Sequence, residues 1–360
     1  MGSRPVKGVS TIQTVFSFPK TKVMKKHALL IGIDISKETL DVCVMLAENQ
    51  TILYHQVCPN NKLGIKQLVA GIMKRTKLSV CEWLFCMEHT GIYSMPLCVY
   101  LSEQGMDYAL VPALEIKNST GIKRGKSDKS DAVQIARYAC LKDTQIKLYQ
   151  LPAKELMKLK VLLSFRDRLV KTKQSFTVTY KEHEAFMEAS IITVMVKESK
   201  SLIEVFNKKI KKVDEMIQDI IHSNQTLSTT YQLVTSVPGI GAQTASYLMV
   251  YTCCFTSFTD ARKLACYAGV APFEYSSGKS IRGRSKVSHL ANKKLKALLS
   301  LATLNAKRKD KELQLYYQRK ISEGKNGMLV MNALRNKLIH RIFATVKRGT
   351  PYVPLMKFAA

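Results

Sequence analysis

From Ala28 to Tyr138 the apolar residues change period several times, and the order of those periods leaves few folds open. Ala28-Leu29-Leu30-Ile31-Gly32-Ile33 is a short unbroken apolar run closed by Asp34, the pattern of a buried strand. Leu40 to Leu46 and Thr51 to Cys58 read as two more strands joined by short turns, so the first three form a meander. Asn60 to about Lys77 places Leu63, Leu68, Val69, Ile72 and Met73 at helical spacing, and Val80 to Met87 reads as a fourth strand closed by Glu88. Ser94 to Gln104 is a helix, Tyr108 to Val111 a fifth strand, and another helix opens at Ser127. Strand-strand-strand-helix-strand-helix-strand-helix predicts an α/β layered domain.

Acids stand at the ends of three of these elements. Ligand sites in open sheets gather at the carboxyl ends of strands, so Asp34 and Glu88 converge if their strands are neighbours. Ser127 is a natural helix N-cap, and Asp128 and Asp131, three residues apart, share one face of the first turn. Acids also favour a helix N-terminus for its dipole alone, and a single strand-end acid is ordinary. Four carboxylates brought together without a cation are electrostatically costly, so the set says more than its members. Hard oxygen ligands suit Mg²⁺, and two such ions about 3.5–4 Å apart are the usual arrangement for splitting phosphodiesters.

Charge narrows the partner. Of 360 residues, 56 are Lys or Arg and 27 are Asp or Glu, and the net charge of +29 exceeds what solubility needs. The excess points to a polyanion, nucleic acid first. No apolar run reaches the roughly 18 residues of a spanning helix and no signal-peptide pattern opens the chain, so neither membrane insertion nor export is expected, and a cytoplasmic, nucleoid-associated protein is. Nine cysteines without a C-x-x-C pair read as reduced core residues; Cys81, Cys86 and His89 are a poor zinc set, because a strand would point them apart. Residues 1–27 form a basic N-terminal arm with Lys20, Lys22, Lys25 and Lys26.

Beyond Leu151 long polar-rich helices take over. Phe206, Ile210, Val213, Ile217 and Ile220 step by four and three, coiled-coil spacing over about two heptads, which reads either as a dimerising segment or as helices packing within one chain. Val237-Pro238-Gly239-Ile240-Gly241-Ala242-Gln243-Thr244 looks like a helix-hairpin-helix, whose glycines let backbone N–H groups approach phosphate; the alternative is a plain turn. Tyr267 to Arg284 is a Ser/Gly-rich basic loop in which Ser276 or Ser277 offers a hydroxyl and Lys279, Arg282 and Arg284 can hold phosphates. On chemistry alone such a loop is a phosphate clamp; a serine attacking a phosphodiester would keep the bond energy in a protein–DNA ester, ready for rejoining. Between Asp260 and Arg348 there are 21 Lys or Arg against 5 Asp or Glu, with Lys286, Lys293 and Lys294 adding to the expected nucleic-acid face. The basic run Lys123, Arg124 and Lys126 just before Ser127 belongs to the same expectation.

Gly-Ile-Asp34, Met-Glu88-His-Thr-Gly and Lys-Ser-Asp128-Lys-Ser-Asp131-Ala together resemble the Asp-Glu-Asp-Asp pattern of the IS110 family of insertion-sequence transposases (IS110/IS1111/IS116/IS902 type), the bridge-RNA-guided recombinases. The run Ala-Gly-x-x-Pro, Ser277-Gly and Arg-Gly-Arg is similar to that family's C-terminal transposase domain. The resemblance spans about Ala28 to Val346 and implies an RNase H/RuvC-like α/β domain over 28–148, a helical coiled-coil oligomerisation region over 149–228, and a mainly α C-terminal domain over 229–350 that carries the serine loop, before a tail at 351–360. It further implies Mg²⁺ on Asp34, Glu88, Asp128 and Asp131, a nucleophilic serine carried to Ser277 with Ser276 as the alternative, and a composite site between protomers of a dimer or tetramer. The implied partners are element-end and target DNA and a guide RNA. A resolvase-type nuclease using metal-activated water is the rival reading, and a catalytically inactive nucleic-acid scaffold the third.

Overall fold

The computed structural model describes residues 27–119, 127–278 and 280–354, apart from the side chains of Ser277, Ile281 and Arg282. The chain divides into two compact units, Met1–Leu151 and Pro152–Ala360.

In the first unit β1 (Leu29–Ile35), β2 (Thr39–Leu46) and β3 (Ile52–Pro59) form the expected meander. Then follow α1 (Lys62–Thr76), β4 (Trp83–Glu88), α2 (Met95–Glu103), β5 (Asp107–Val111), α3 (Ala113–Ser119) and α4 (Asp128–Lys142). The five-stranded sheet runs β3-β2-β1-β4-β5. β1 is antiparallel to β2 and parallel to β4, which is parallel to β5. The two central strands are buried on both faces, and for that reason they read as continuous apolar runs. Ile31, Ile33, Trp83 and Phe85 pack with Ile65, Leu68 and Leu97 of α1 and α2. On the other face Leu30, Leu84 and Cys86 meet Ile135 and Ala139, and Cys43 and Met45 meet Ala132 and Ala136, all from α4.

Two details differ from the sequence reading. Val80–Glu82 is a 3₁₀ turn closed by a reciprocal Ser79/Glu82 capping box, so the fourth strand starts only at Trp83. The short helix α3 after Pro112 was not foreseen. The arm at 1–26 and the basic residues Lys123, Arg124 and Lys126 lie outside the described residues.

The second unit opens with α5 (Lys154–Phe186) and α6 (Ala189–Ser223), joined by two residues. They run antiparallel: Arg166 pairs with Asp214 at 2.6 Å, Lys173 with Asn207 at 3.1 Å, and the Phe176 and Phe206 rings lie 6.0 Å apart. Val213, Ile217 and Ile221 are buried against Leu156, Leu159 and Leu163. The stripe that reads either as a dimerising segment or as helices packing within one chain is therefore largely taken up inside the chain, where the two-residue link folds α6 back along α5. The helices α7 (Gln225–Thr235), α8 (Ala242–Thr252), α9 (Ala261–Tyr267), α10 (Lys293–Lys309), α11 (Lys311–Ser322) and α12 (Gly327–Arg348) build a second core around Leu248, Leu264, Leu299, Leu334 and Leu338. Asn224, Asp260, Asn292, Asp310 and Asn326 each cap a helix start through the side chain, which explains why so many short helices begin cleanly here.

Between α9 and α10 stands an antiparallel hairpin, β6 (Pro272–Ser277) and β7 (Ile281–Val287), where the sequence reading expects a loop. Serine and glycine dominate that reading, yet Phe273 and Tyr275 alternate with polar neighbours, the period of a strand. Tyr275 lies opposite Gly283 and its ring fills the space a Cβ there would need, 2.8 Å away. Among the described residues no helix is long and apolar enough to cross a membrane.

Candidate active site and nucleic-acid interface

β1 and β4 are adjacent and parallel, with Ile33 beside Met87, so the strand ends carrying Asp34 and Glu88 lie side by side. The third element is α4, whose start is fixed by its cap: Ser127 Oγ accepts from the Ser130 N–H at 3.2 Å, and Ser130 Oγ accepts from the Ser127 N–H at 3.2 Å. Asp128 and Asp131 fall in that first turn as the sequence reading expects. The helix crosses the sheet at Gly32, where an added Cβ would sit 2.3 Å from Ala132 O and 2.3 Å from Ala136 N. With no side chain on Gly32 and only methyl groups on Ala132 and Ala136, α4 lies on β1 closely enough to bring its acids to Asp34.

The electrostatics record that convergence. The Asp34 carboxyl is pushed up from 3.8 to about 6, first by burial and then by Asp131, Asp128 and Glu88, against a lowering contribution from the Ile35 backbone N–H. Asp41, directly across from Asp34 in the β1–β2 register, does not join the set; its carboxylate turns to His55 Nε2, 3.5 Å away. Among the described residues no group of three or more His, Cys, Asp or Glu side chains is drawn tightly enough to hold one ion. The donor chemistry nonetheless fits a hard divalent cation. All four groups are carboxylates, no basic side chain contributes to the Asp34 shift, and a dication would relieve the repulsion that holds the Asp34 proton.

The serine hairpin belongs to the other unit. Ser277 is the last residue of β6, opposite Ile281, and Ser276 stands opposite Arg282. Gly278 takes φ +56° at the tip with open space around it. Arg284, Lys286 and Lys293 are exposed, as a phosphate-binding face needs, while Lys279 lies outside the described residues. Lys294 is different: its ammonium is held by Asp167 at 2.6 Å and sits 4.9 Å from the Tyr247 ring. That lysine is committed to tying α10 to α5, because its carboxylate and ring partners are already in place.

The hairpin-like turn before α8 also divides. Gly239, at φ +89°, faces the backbone of α10, with a notional Cβ 2.5 Å from Ala306 N and 2.6 Å from Ala302 O. Its missing side chain serves helix packing. Gly241 caps α8 without a side-chain bond and has nothing within 4 Å, so the backbone approach expected of it is open.

Comparison with known proteins finds matches in both units, the first running on into α5. Residues 31–183 match the DEDD transposase model of the IS110 family, and residues 231–318 match the model of the IS116/IS110/IS902 transposase family. The chain belongs to the IS110 family of transposases. This transposase is 28% identical over 329 residues to the pilin gene-inverting protein of Moraxella bovis, covering 89% of this chain and 97% of that protein. It is 36% identical over 120 residues to an insertion element IS110 protein of Streptomyces coelicolor, covering 33% of this chain and 29% of that protein. Among solved structures, RuvC of T. thermophilus in complex with a Holliday junction substrate aligns with 34% of this chain and all of its own at 14% identity and a TM-score of 0.27, a likeness too loose to argue from.

Two supports of the transposase's acidic site escape a reading that looks for reactive groups. Gly32 is one, and its signal was a glycine inside a strand run, which often marks close backbone approach. Asn60 is the other: its Nδ2 donates to Ser36 O and to Tyr93 O, both at 2.9 Å, stapling the turn after β1 to the segment after β4. No local pattern betrays Asn60, because both of its acceptors are distant in sequence.

Proposed function

We propose that this IS110-family transposase cuts and rejoins DNA through an ester between Ser277 and a DNA phosphate, assisted by Mg²⁺ on Asp34, Glu88, Asp128 and Asp131. The observation that carries the reading is the convergence of four carboxylates from two neighbouring strand ends and one helix start; burial first, and then these neighbours, raise the Asp34 carboxyl to about 6. The strand order β3-β2-β1-β4-β5 puts β1 beside β4 and so supports the same site. When bound, the metal would supply positive charge for the developing negative charge on the phosphate and lower the proton affinity of the attacking oxygen.

In the step proposed, the serine hydroxyl gives up its proton and forms a new P–O bond, while the sugar oxygen of the broken strand leaves and takes a proton. The ester stores the energy of the broken bond, so the reverse attack by another strand's hydroxyl rejoins DNA without ATP. The position of Ser277 at the end of β6, on a hairpin whose other strand carries exposed Arg284 and Lys286, supports this role. The inverting activity in the Moraxella protein's name supports a reaction that reseals what it cuts. Acids and serine stand in separate units, which favours a composite site assembled in a dimer or tetramer on two DNAs. Guide-RNA choice of target rests on the family resemblance, with the net charge of +29 able to serve both polyanions.

The test is trapping. Incubated with element-end DNA and Mg²⁺ and then denatured, the protein is expected to carry covalently bound DNA, lost in Ser277→Ala and retained in Ser276→Ala. Cleavage that persists without any adduct would establish the nuclease reading with activated water. Loss of cleavage in Asp128→Ala at unchanged DNA affinity would dispose of the inactive-scaffold reading.

A further inference from the structure

Two arginines on α12 are treated in opposite ways. Arg341 is paired twice, with Asp310 at 2.6 Å and with Glu312 at 2.7 Å. Arg335, six residues earlier and only 9% exposed, faces no carboxylate among the described residues. Its Nη1 donates to Asn332 Oδ1 at 3.3 Å, and its Nε is buried with no acceptor. Burial alone lowers its proton affinity, with no charged group contributing. A guanidinium in that position is costly to the folded chain unless an anion arrives to pair with it. Nη2 bonds no described group and is left for such an anion.

The place of this cation links it to the reaction. Asn332, which orients Arg335, donates its own Nδ2 to Val270 O at 2.8 Å. Val270 lies two residues before Pro272, where β6 leaves the helical core toward Ser277. The opposite strand is stapled to the same base, because the Asn292 N–H donates to Tyr267 O at 2.8 Å and its Nδ2 donates to Tyr267 Oη at 3.0 Å. Six strand residues carry the chain about 17 Å from this base to the tip, a span of about five nucleotides along a DNA strand.

We propose that Arg335, oriented by Asn332, binds one backbone phosphate of the DNA at the base of the serine hairpin, within about five nucleotides of the phosphate that is cut. This is a positioning role: a charge-assisted hydrogen bond from the guanidinium to one phosphate fixes the register of the strand along the hairpin. It rests on the reading that DNA is held at that hairpin, and not on serine chemistry.

The experiment uses the full chain with Ser277→Ala as background and EDTA in place of Mg²⁺, so that binding is read without cleavage whether serine or water is the nucleophile. Arg335→Met and Arg335→Lys are compared for unfolding temperature without DNA, and for affinity to a duplex spanning one end of the element in which each phosphate in turn is an uncharged methylphosphonate. Arg335→Met is expected to unfold no lower than its parent, to bind the duplex about tenfold more weakly, and to lose the parent's sensitivity at one particular phosphate. Arg335→Lys keeps part of the affinity. Unchanged affinity in Arg335→Met would overturn the proposal. So would a fall in unfolding temperature with an equal loss at every phosphate, which marks a structural arginine, or sensitivity confined to an RNA duplex of the same sequence.

Discussion

Asp34 shows what burial and like charge do to one carboxyl. Its pKa of about 6 in the folded chain stands above the ordinary 3.8, so between those values the folded protein holds a proton that the unfolded chain has released. Stability of the metal-free protein therefore falls as pH rises through that window and levels off above it. Asp34→Asn is expected to be more stable than the parent at pH 7 by on the order of 1 kcal/mol, discounted for a half-buried group, with the gap closing below about pH 4. Unfolding curves across pH without metal check this, and an equal gap at both ends of the range would contradict it. A second residue-level expectation concerns Gly32. Its Cβ would have to push back the backbone of α4, so Gly32→Ala is expected to cost about 1–3 kcal/mol and to abolish cleavage by moving Asp131 from Asp34; denaturant unfolding and an activity assay read the two effects. The four acids were legible because chemistry selects them and caps and strand ends place them. Asn60 and the Asp41–His55 pair were not, since only the three-dimensional register decides which acid turns inward.

At the scale of elements, strong periodicity carried the reading and ambiguous periodicity did not. The runs that became β1 and β4 are buried on both sides, and the meander that β1 opens follows from short turns. The Ser276/Ser277 segment proved a hairpin because Phe273 and Tyr275 alternate within a stretch whose composition suggests a loop. The turn before α8 shows how one motif serves two masters: Gly239 lets α10 pack, and Gly241 leaves a helix start open. Gly239→Ala, with both a positive φ and a backbone clash, is expected to lower stability by at least about 2 kcal/mol, measured by denaturant unfolding. A variant as stable as the parent would mean that α10 does not press on this turn.

For the molecule as a whole, charge and division into units matter most. The excess of basic residues was plain from composition, whereas which of them are free was not. Lys294 looks like its neighbour Lys293 in sequence, but Asp167 and Tyr247 occupy it. Removing Arg284, Lys286 or Lys293 is expected to flatten the dependence of DNA affinity on salt by about one unit of slope each, and Lys294→Met to leave the slope unchanged while reducing stability; binding titrations across salt concentrations decide.

The central claim is that the carboxylates of the first unit and the serine of the second serve one reaction. The most direct measurement is the yield of covalent protein–DNA adduct, with Mg²⁺ and the serine intact, in Asp34→Ala, Glu88→Ala, Asp128→Ala and Asp131→Ala taken one at a time. Each is expected to lose the adduct by about a hundredfold or more while still binding DNA. Adduct at the parent's level in any one of the four would contradict the account.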